Sequence, residues 1–220
     1  DVGVRVSLVD VFPHSANPET RVGEPADWQR HVPYDLGFGV DPDDPRRFDF
    51  RDGLRFLGLV ESLGIRLVNL TLGSPYYCPH LQRPAAYPPS DGYLPPEDPL
   101  LGVMAHLDCA RRAKAAFPGL VIVGTGYSYL QEYLPHVAQY EVGQGHVDVV
   151  GLGRMSLVYP DLAQDVLDVK TLEKRRICRT FSDCTTAPRN GMVSGCYPLD
   201  LQYKNSPEAK RLKLIKKEQQ

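Results

Sequence analysis

Gly153-Arg154 closes the apolar run VDVVGLGR (147–154), and its place matters more than its residue types. In parallel α/β proteins the carboxyl ends of strands are where ligands sit. Glycine there admits a close backbone approach, and arginine offers a planar fork of donors that suits phosphate oxygens. A second run, GLVIVGTGY (119–127), ends in Gly124-Thr125-Gly126, whose glycines read equally well as turn residues or as a phosphate loop. Arg5, inside the apolar run VGVRVS (2–7), reads on its own as an ion-pair partner in a strand. Cys178, Cys184 and Cys196 come later with the spacing C-x5-C-x11-C, whereas Cys78 and Cys109 stand alone as core or loop thiols.

These residues need strands to end beneath them, and the chain has the means. Its 220 residues, 42% of them hydrophobic, suffice for a sizeable core, and the net charge of −2 gives no electrostatic case for nucleic acid or an anionic membrane. No apolar run reaches the roughly 18 residues of a membrane-spanning helix, and no signal peptide opens the chain. Five cysteines are an odd and sparse set, which points to a reducing cytoplasm rather than a disulfide scaffold. The chain enters a core-type strand almost at Asp1, the pattern expected of a piece of a longer protein.

Strand and helix alternate along the chain. Val4–Leu8 is a strand with Val2, Val4, Val6 and Leu8 on one face, followed by a long proline- and aspartate-rich loop over 10–50. Phe56, Leu59, Val60 and Leu63 have helical spacing, with Gly64 as the stop. IRLVNLTLG (65–73) is the next strand, and a second proline-rich loop (74–98) carries Tyr76 and Tyr77. Asp98 and Pro99 open a helix whose stripe is Leu100, Val103, Leu107, Ala110 and Phe117. After the third strand, Ser128 and Gln131 suggest a capping box, with Pro135 splitting that segment into a short turn and a second helix. HVDVVGLGR (146–154) is the fourth strand, YPDLAQDVL (159–167) opens another helix, and SPEAKRLKLIKKEQQ (206–220) is a basic, solvated terminal helix or frayed tail. Strands separated by helices imply parallel neighbours with right-handed crossovers, as in half of an eight-stranded barrel or a small doubly wound sheet.

Taken in order, three of these runs resemble the old yellow enzyme family of FMN-dependent oxidoreductases. VGVRVS is similar to that family's fifth strand, VIVGTG to its seventh, and DVVGLGRMSLVYPDL (148–162) to its eighth with the helix start beyond it. The fold this resemblance implies is α/β: parallel (β/α) units forming the C-terminal half, strands five to eight, of a TIM barrel over 1–170, with an irregular cysteine-containing tail over 171–220. Arg5 would lie beside the flavin ring, where a fixed cation stabilises negative charge on the reduced ring edge. Gly124, Thr125, Gly126, Gly153 and Arg154 would meet the FMN phosphate, and Tyr76 and Tyr77 would shape the substrate pocket. The implied activity passes hydride from NAD(P)H by way of the flavin to an electrophilic small molecule such as an unsaturated carbonyl compound.

The family's catalytic residues lie on the fourth strand, which this chain does not contain, so the fragment alone is expected to be inactive. Its expected partner is the missing N-terminal half of the barrel; without it, open sheet edges favour association into a homo-oligomer or aggregation. His14 and His80, in loops after strands, lack the spacing of the family's substrate-binding pair and read as solvated or structural histidines. Relatives of the 2,4-dienoyl-CoA reductase type bind an iron-sulfur cluster through four tail cysteines. Here Cys178, Cys184 and Cys196 supply three, Phe181 stands where a fourth is expected, and Asp183 is the available stand-in; the other reading is a tail kept for packing. Two further alternatives use the same residues: a flavin-free phosphate-binding barrel acting as a lyase or isomerase, and an inactive binding module descended from the barrel.

Overall fold

The computed structural model describes residues 2–218. Along the chain come β1 (Gly3–Ser7), β2 (His14–Ala16), β3 (Gly23–Pro25), α1 (Arg51–Ser62), β4 (Leu67–Thr71), α2 (Pro79–Gln82) and α3 (Pro99–Ala116). The second half of the chain adds β5 (Val121–Gly124), α4 (Leu134–Gly143), β6 (Val149–Val150), α5 (Arg154–Val158), α6 (Leu162–Leu167), α7 (Asp183–Arg189), α8 (Leu201–Lys204) and α9 (Pro207–Glu218). β1, β4, β5 and β6 form one parallel sheet in that order, and β2 pairs with β3 in a small antiparallel hairpin inside the first long loop. The protein is thus α/β, a four-stranded parallel sheet flanked by helices. Its strand order never reverses, so it lacks the switch point of a doubly wound sheet.

Right-handed crossovers between sequential parallel strands put every connecting helix on the same face. That face holds the main core: Val68, Leu70 and Ile122 from the strands, Leu57 and Val60 from α1, and Ala110 and Ala113 from α3. On the opposite face the register sets Arg5 beside Asn69, Asn69 beside Val123, and Val123 beside Val149. Among the described residues no helix covers that face, and Leu67, Val121 and Val149 on it are 45%, 39% and 47% exposed. The described chain exposes 12,270 Å² in all. A folded monomer of 24.6 kDa is expected to expose about 10,100 Å².

α3 starts as its sequence predicts: Asp98 accepts the Leu100 N–H at 2.8 Å and Pro99 takes the first helical position. α1 does not keep the expected stripe. Its buried residues are Gly53, Leu57 and Val60, while Phe56, Leu59 and Leu63 are exposed. Gly53 decides this, because a Cβ there would stand 2.8 Å from the Leu8 carbonyl; the helix backbone lies directly on the strand and fixes the rotation of the rest of the helix. The expected Ser128–Gln131 capping box is also absent. Gln131 has φ 52°, a break between the 3-10 turns at Tyr127–Tyr133 and α4. Val2 is exposed rather than part of the buried face of β1.

Over 207–218 the tail is the expected terminal helix, but packed rather than solvated; the last two residues of that expectation lie outside the described residues. Ala209 and Leu212 of α9 join Ala187, Met192 and Tyr197 in a separate small core, and Lys216 pairs with Asp183 at 2.6 Å. Among the described residues no helix is long and apolar enough to cross a membrane.

Candidate functional site

A cavity of about 330 Å³ opens where the strands of the parallel sheet end, and Arg5, Thr125, Gly126, Gly153 and Arg154 all line it. Arg83, Asn69, Gln82, Thr71 and Ser128 are also in its polar wall, and among the described residues no Asp or Glu lines it. A wall with three guanidinium groups has the chemistry to receive an anion. Burial lowers the pKa of Arg83, reinforced by the neighbouring charges of Arg154 and Arg189. Burial lowers Arg154 too, partly offset by the nearby thiols of Cys178 and Cys184. Such desolvated, uncompensated cations are costly to keep unless an anion joins them.

Each cation is held in place by a different element. Arg154 leads α5 directly after β6 and donates from Nη2 to the Pro84 carbonyl at 2.8 Å. Arg83 follows α2 and donates from Nη1 to Thr185 Oγ1 at 2.8 Å, tying the loop after β4 to α7. Arg5 projects from β1 on the uncovered face. Three strand spacings of about 4.8 Å, roughly 14 Å, separate β1 from β6, so a ligand touching both ends spans the sheet.

Two polar atoms in this wall have nothing to bond. Asn69 Oδ1 and Gln82 Oε1 are buried side-chain atoms without a hydrogen-bond partner. A buried amide left unpaired costs about 1–3 kcal/mol, and both face a cavity that a polar ligand would fill.

The glycines divide by role. Gly126 adopts φ +93°, and a Cβ there would come 2.9 Å from the ring of His106. Gly153 has open space where its Cβ would be and lines the cavity. Gly124 is buried outside the lining; its missing side chain leaves room for Val147 and the Tyr127 hydroxyl, at 3.1 and 3.2 Å from a Cβ. The Thr125 hydroxyl is used by the fold, donating to the Leu70 carbonyl at 2.6 Å. His106, fully buried and held near pKa 4 by burial, lies 3.3 Å from the same hydroxyl and bonds the Leu81 carbonyl through Nε2.

Tyr76 and Tyr77 do not line the cavity; they sit exposed on the turn before α2, Tyr76 at 82%. His14 and His80 are partly buried and meet each other, ring centroids 4.7 Å apart, with His80 Nδ1 2.8 Å from the Tyr93 hydroxyl. Burial holds His80 near pKa 4, so it is neutral at neutral pH.

Cys178, Cys184 and Cys196 come together around a second, small cavity that also touches Arg154. Burial raises the thiol of Cys184 and pushes that of Cys196 up to about 11. Asp183 is committed to Lys216, and Phe181 stacks on Tyr87 with centroids 5.2 Å apart. No group of three His, Cys, Asp or Glu among the described residues is arranged to hold a metal ion. The tail therefore does not fit a cluster that needs four thiolates.

Sequence reasoning missed Arg83, Asn69 and Gln82. Asn69 had a signal, a lone amide inside the apolar strand LVNLT (67–71). Arg83 and Gln82 lay in a proline-rich loop with no periodicity to orient them. Compared with protein-family models, with curated proteins and with solved structures, the chain matches none.

Proposed function

We propose that this chain carries the phosphate side and one ring edge of an FMN site, as strands five to eight of an old-yellow-enzyme-like barrel. One observation carries the reading: Arg5, Thr125, Gly126, Gly153 and Arg154, drawn from separate stretches of sequence, line a single cavity with no carboxylate among the described residues. Arg154, with the backbone at Gly153 and Gly126, would hold the phosphate, and Arg83 would add a second cation to it. Arg5 lies on the first strand of the sheet, placed for the far end of the ligand, where its charge would favour electron density on the ring edge. The unpaired amides of Asn69 and Gln82 suit the polar edge of a heteroaromatic ring. The flavin, when bound, supplies hydride transfer from NAD(P)H to an electrophilic, unsaturated-carbonyl-type small molecule. This chain's residues bind and orient it and set the charge around it.

The half-barrel reading is supported by the uncovered apolar face and by surface some 2,000 Å² above that of a compact monomer of this size. That excess is comparable to the burial at an obligate interface. The remaining four strands would cover it and bring the catalytic groups. A phosphate-binding lyase or isomerase would use Arg83, Arg154 and Gly153 but leaves Arg5 and Asn69, at the other side of the cavity, without a role.

The test is a titration of the protein with FMN, riboflavin and inorganic phosphate, read by the flavin's visible absorbance and fluorescence. FMN should bind more tightly than riboflavin and be displaced by phosphate. Phosphate binding without any flavin perturbation would move the reading to the lyase or isomerase class.

A further inference from the structure

A groove of about 710 Å³, larger than the cavity at the sheet, is lined by residues of α5, the tail and α8. It is lined by Leu157, Val158 and Pro160 at the end of α5, by residues 173–176 and Arg179, and by the stretch from Pro198 into α8. Its apolar lining is Leu157, Leu199 and Leu201, with Leu157 and Leu201 well exposed. Its rim carries Lys174, Arg175, Arg176, Arg179 and Lys204 against Glu173 and Asp200.

These charges are not equivalent. Arg176 is fixed in the wall, paired with Asp161 at 2.7 Å and lying 4.4 Å over the Tyr159 ring. Glu173 is taken by Arg175 and Arg176, at 3.2 and 3.3 Å. Asp200 caps α8 by accepting the Gln202 N–H at 2.8 Å. Lys174, Arg179 and Lys204 remain exposed, and among the described residues none has a carboxylate within ion-pair distance. The groove therefore offers three unpaired cations and an apolar lining, while its own carboxylates are engaged.

We infer that this groove is a binding site for a nucleotide bearing two or more phosphates. The phosphates would meet Lys174, Arg179 and Lys204, and the base would lie against the leucines. Its volume falls in the range of pockets for cofactor-sized ligands. A purely polar polyanion would gain nothing from the exposed leucines, and a neutral apolar ligand would gain nothing from the three cations. The site is separate from the cavity of Arg5, Arg83 and Arg154 and stands whether or not that cavity takes FMN.

ADP is the probe, with adenosine and pyrophosphate beside it, measured by isothermal titration calorimetry at low salt. ADP should bind with one-to-one stoichiometry, more tightly than either fragment, and weaken as salt is raised. Lys174→Glu, Arg179→Glu and Lys204→Glu should each lower ADP affinity by about tenfold, one charge-assisted contact apiece. All three positions are exposed, so the melting temperature should hold. Lys210→Glu, a reversal of an exposed charge outside the groove, should leave ADP affinity unchanged, which separates a site from general charge attraction. The inference is overturned if ADP does not bind at millimolar concentration, if adenosine binds as well as ADP, or if the three reversals together leave ADP affinity intact.

Discussion

Arg154 Nη2 hydrogen-bonds the Pro84 carbonyl at 2.8 Å, joining the end of β6 to the loop after β4 across 70 positions of chain. This bond aims the guanidinium into the cavity before any ligand arrives, so little ordering remains to be done on binding. Arg154→Lys keeps the charge but loses the planar fork. Phosphate and FMN affinity should fall about tenfold in Arg154→Lys and by about a hundredfold in Arg154→Ala, the cost of one and then two charge-assisted contacts. Equal affinity in wild type and Arg154→Ala would remove this residue from the site.

Gly153 and Gly124 separate ligand contact from packing. Gly153→Ala places a methyl in open space on the cavity wall, so it should weaken FMN while moving the melting temperature little. Gly124→Ala drives a methyl against Val147 and Tyr127, so it should cost about 1–3 kcal/mol of stability. Thermal melts paired with FMN titrations read both effects; a reversal of the two patterns would show that the cavity is not where ligand binds.

His80 and His106 set an acid limit. Both are held near pKa 4 by burial, below the ordinary histidine value of 6.5, so the unfolded chain takes up protons that the folded one refuses. Stability should be full above about pH 6.5 and fall as pH drops from 6.5 toward 4, levelling off below. His106 is the more deeply buried, and His106→Asn should flatten part of that fall in melts run from pH 8 to 4. An unchanged slope would show that His106 is not the titrating group.

Glu141 is 1% exposed and anchors α4 to α3. Arg111 Nε donates to it at 2.9 Å, a second Arg111 nitrogen grips its other oxygen, and His146 Nδ1 lies 3.0 Å away. Burial pushes its pKa up, and Arg111 and His146 more than offset this, leaving it below the usual carboxylate range. Glu141→Gln should destabilise by about 3 kcal/mol, because Arg111 is left with a neutral partner. Arg111→Met combined with Glu141→Leu should recover much of the loss in chemical denaturation.

The tail thiols make a further prediction. With Asp183 held by Lys216 and no fourth cysteine, the purified protein should contain no stoichiometric iron or acid-labile sulfide. Near one iron per thiol, with visible absorbance that chelators bleach, would reverse this.

The parallel sheet was legible because each strand is a short apolar run, the later ones closed by glycine, and because α3 carries its own start residues, Asp98 and Pro99. Arg154 was legible for the same reason: a charge directly after a strand has few places to point. The rotation of α1 was not, since it comes from a contact between Gly53 and Leu8, 45 residues apart, that hydrophobic spacing does not encode. Arg83 was hidden because its direction comes from Thr185, on the far side of the chain. The packed tail was hidden by its charge: one buried stripe, Ala209 and Leu212, is enough to dock a helix that otherwise reads as solvated.

The wet side chains Leu67, Val121 and Val149 also leave a calorimetric signature. A chain of 220 residues should show a heat-capacity increment of unfolding near roughly 3 kcal/mol/K. Much of that increment measures apolar surface hidden in the native state, and here part of it is already hydrated before melting begins. The isolated chain should therefore have a flatter stability curve than its length implies, with weaker curvature toward cold. Covering the sheet face would restore the missing increment, which makes heat capacity a direct gauge of whether the face has found its cover.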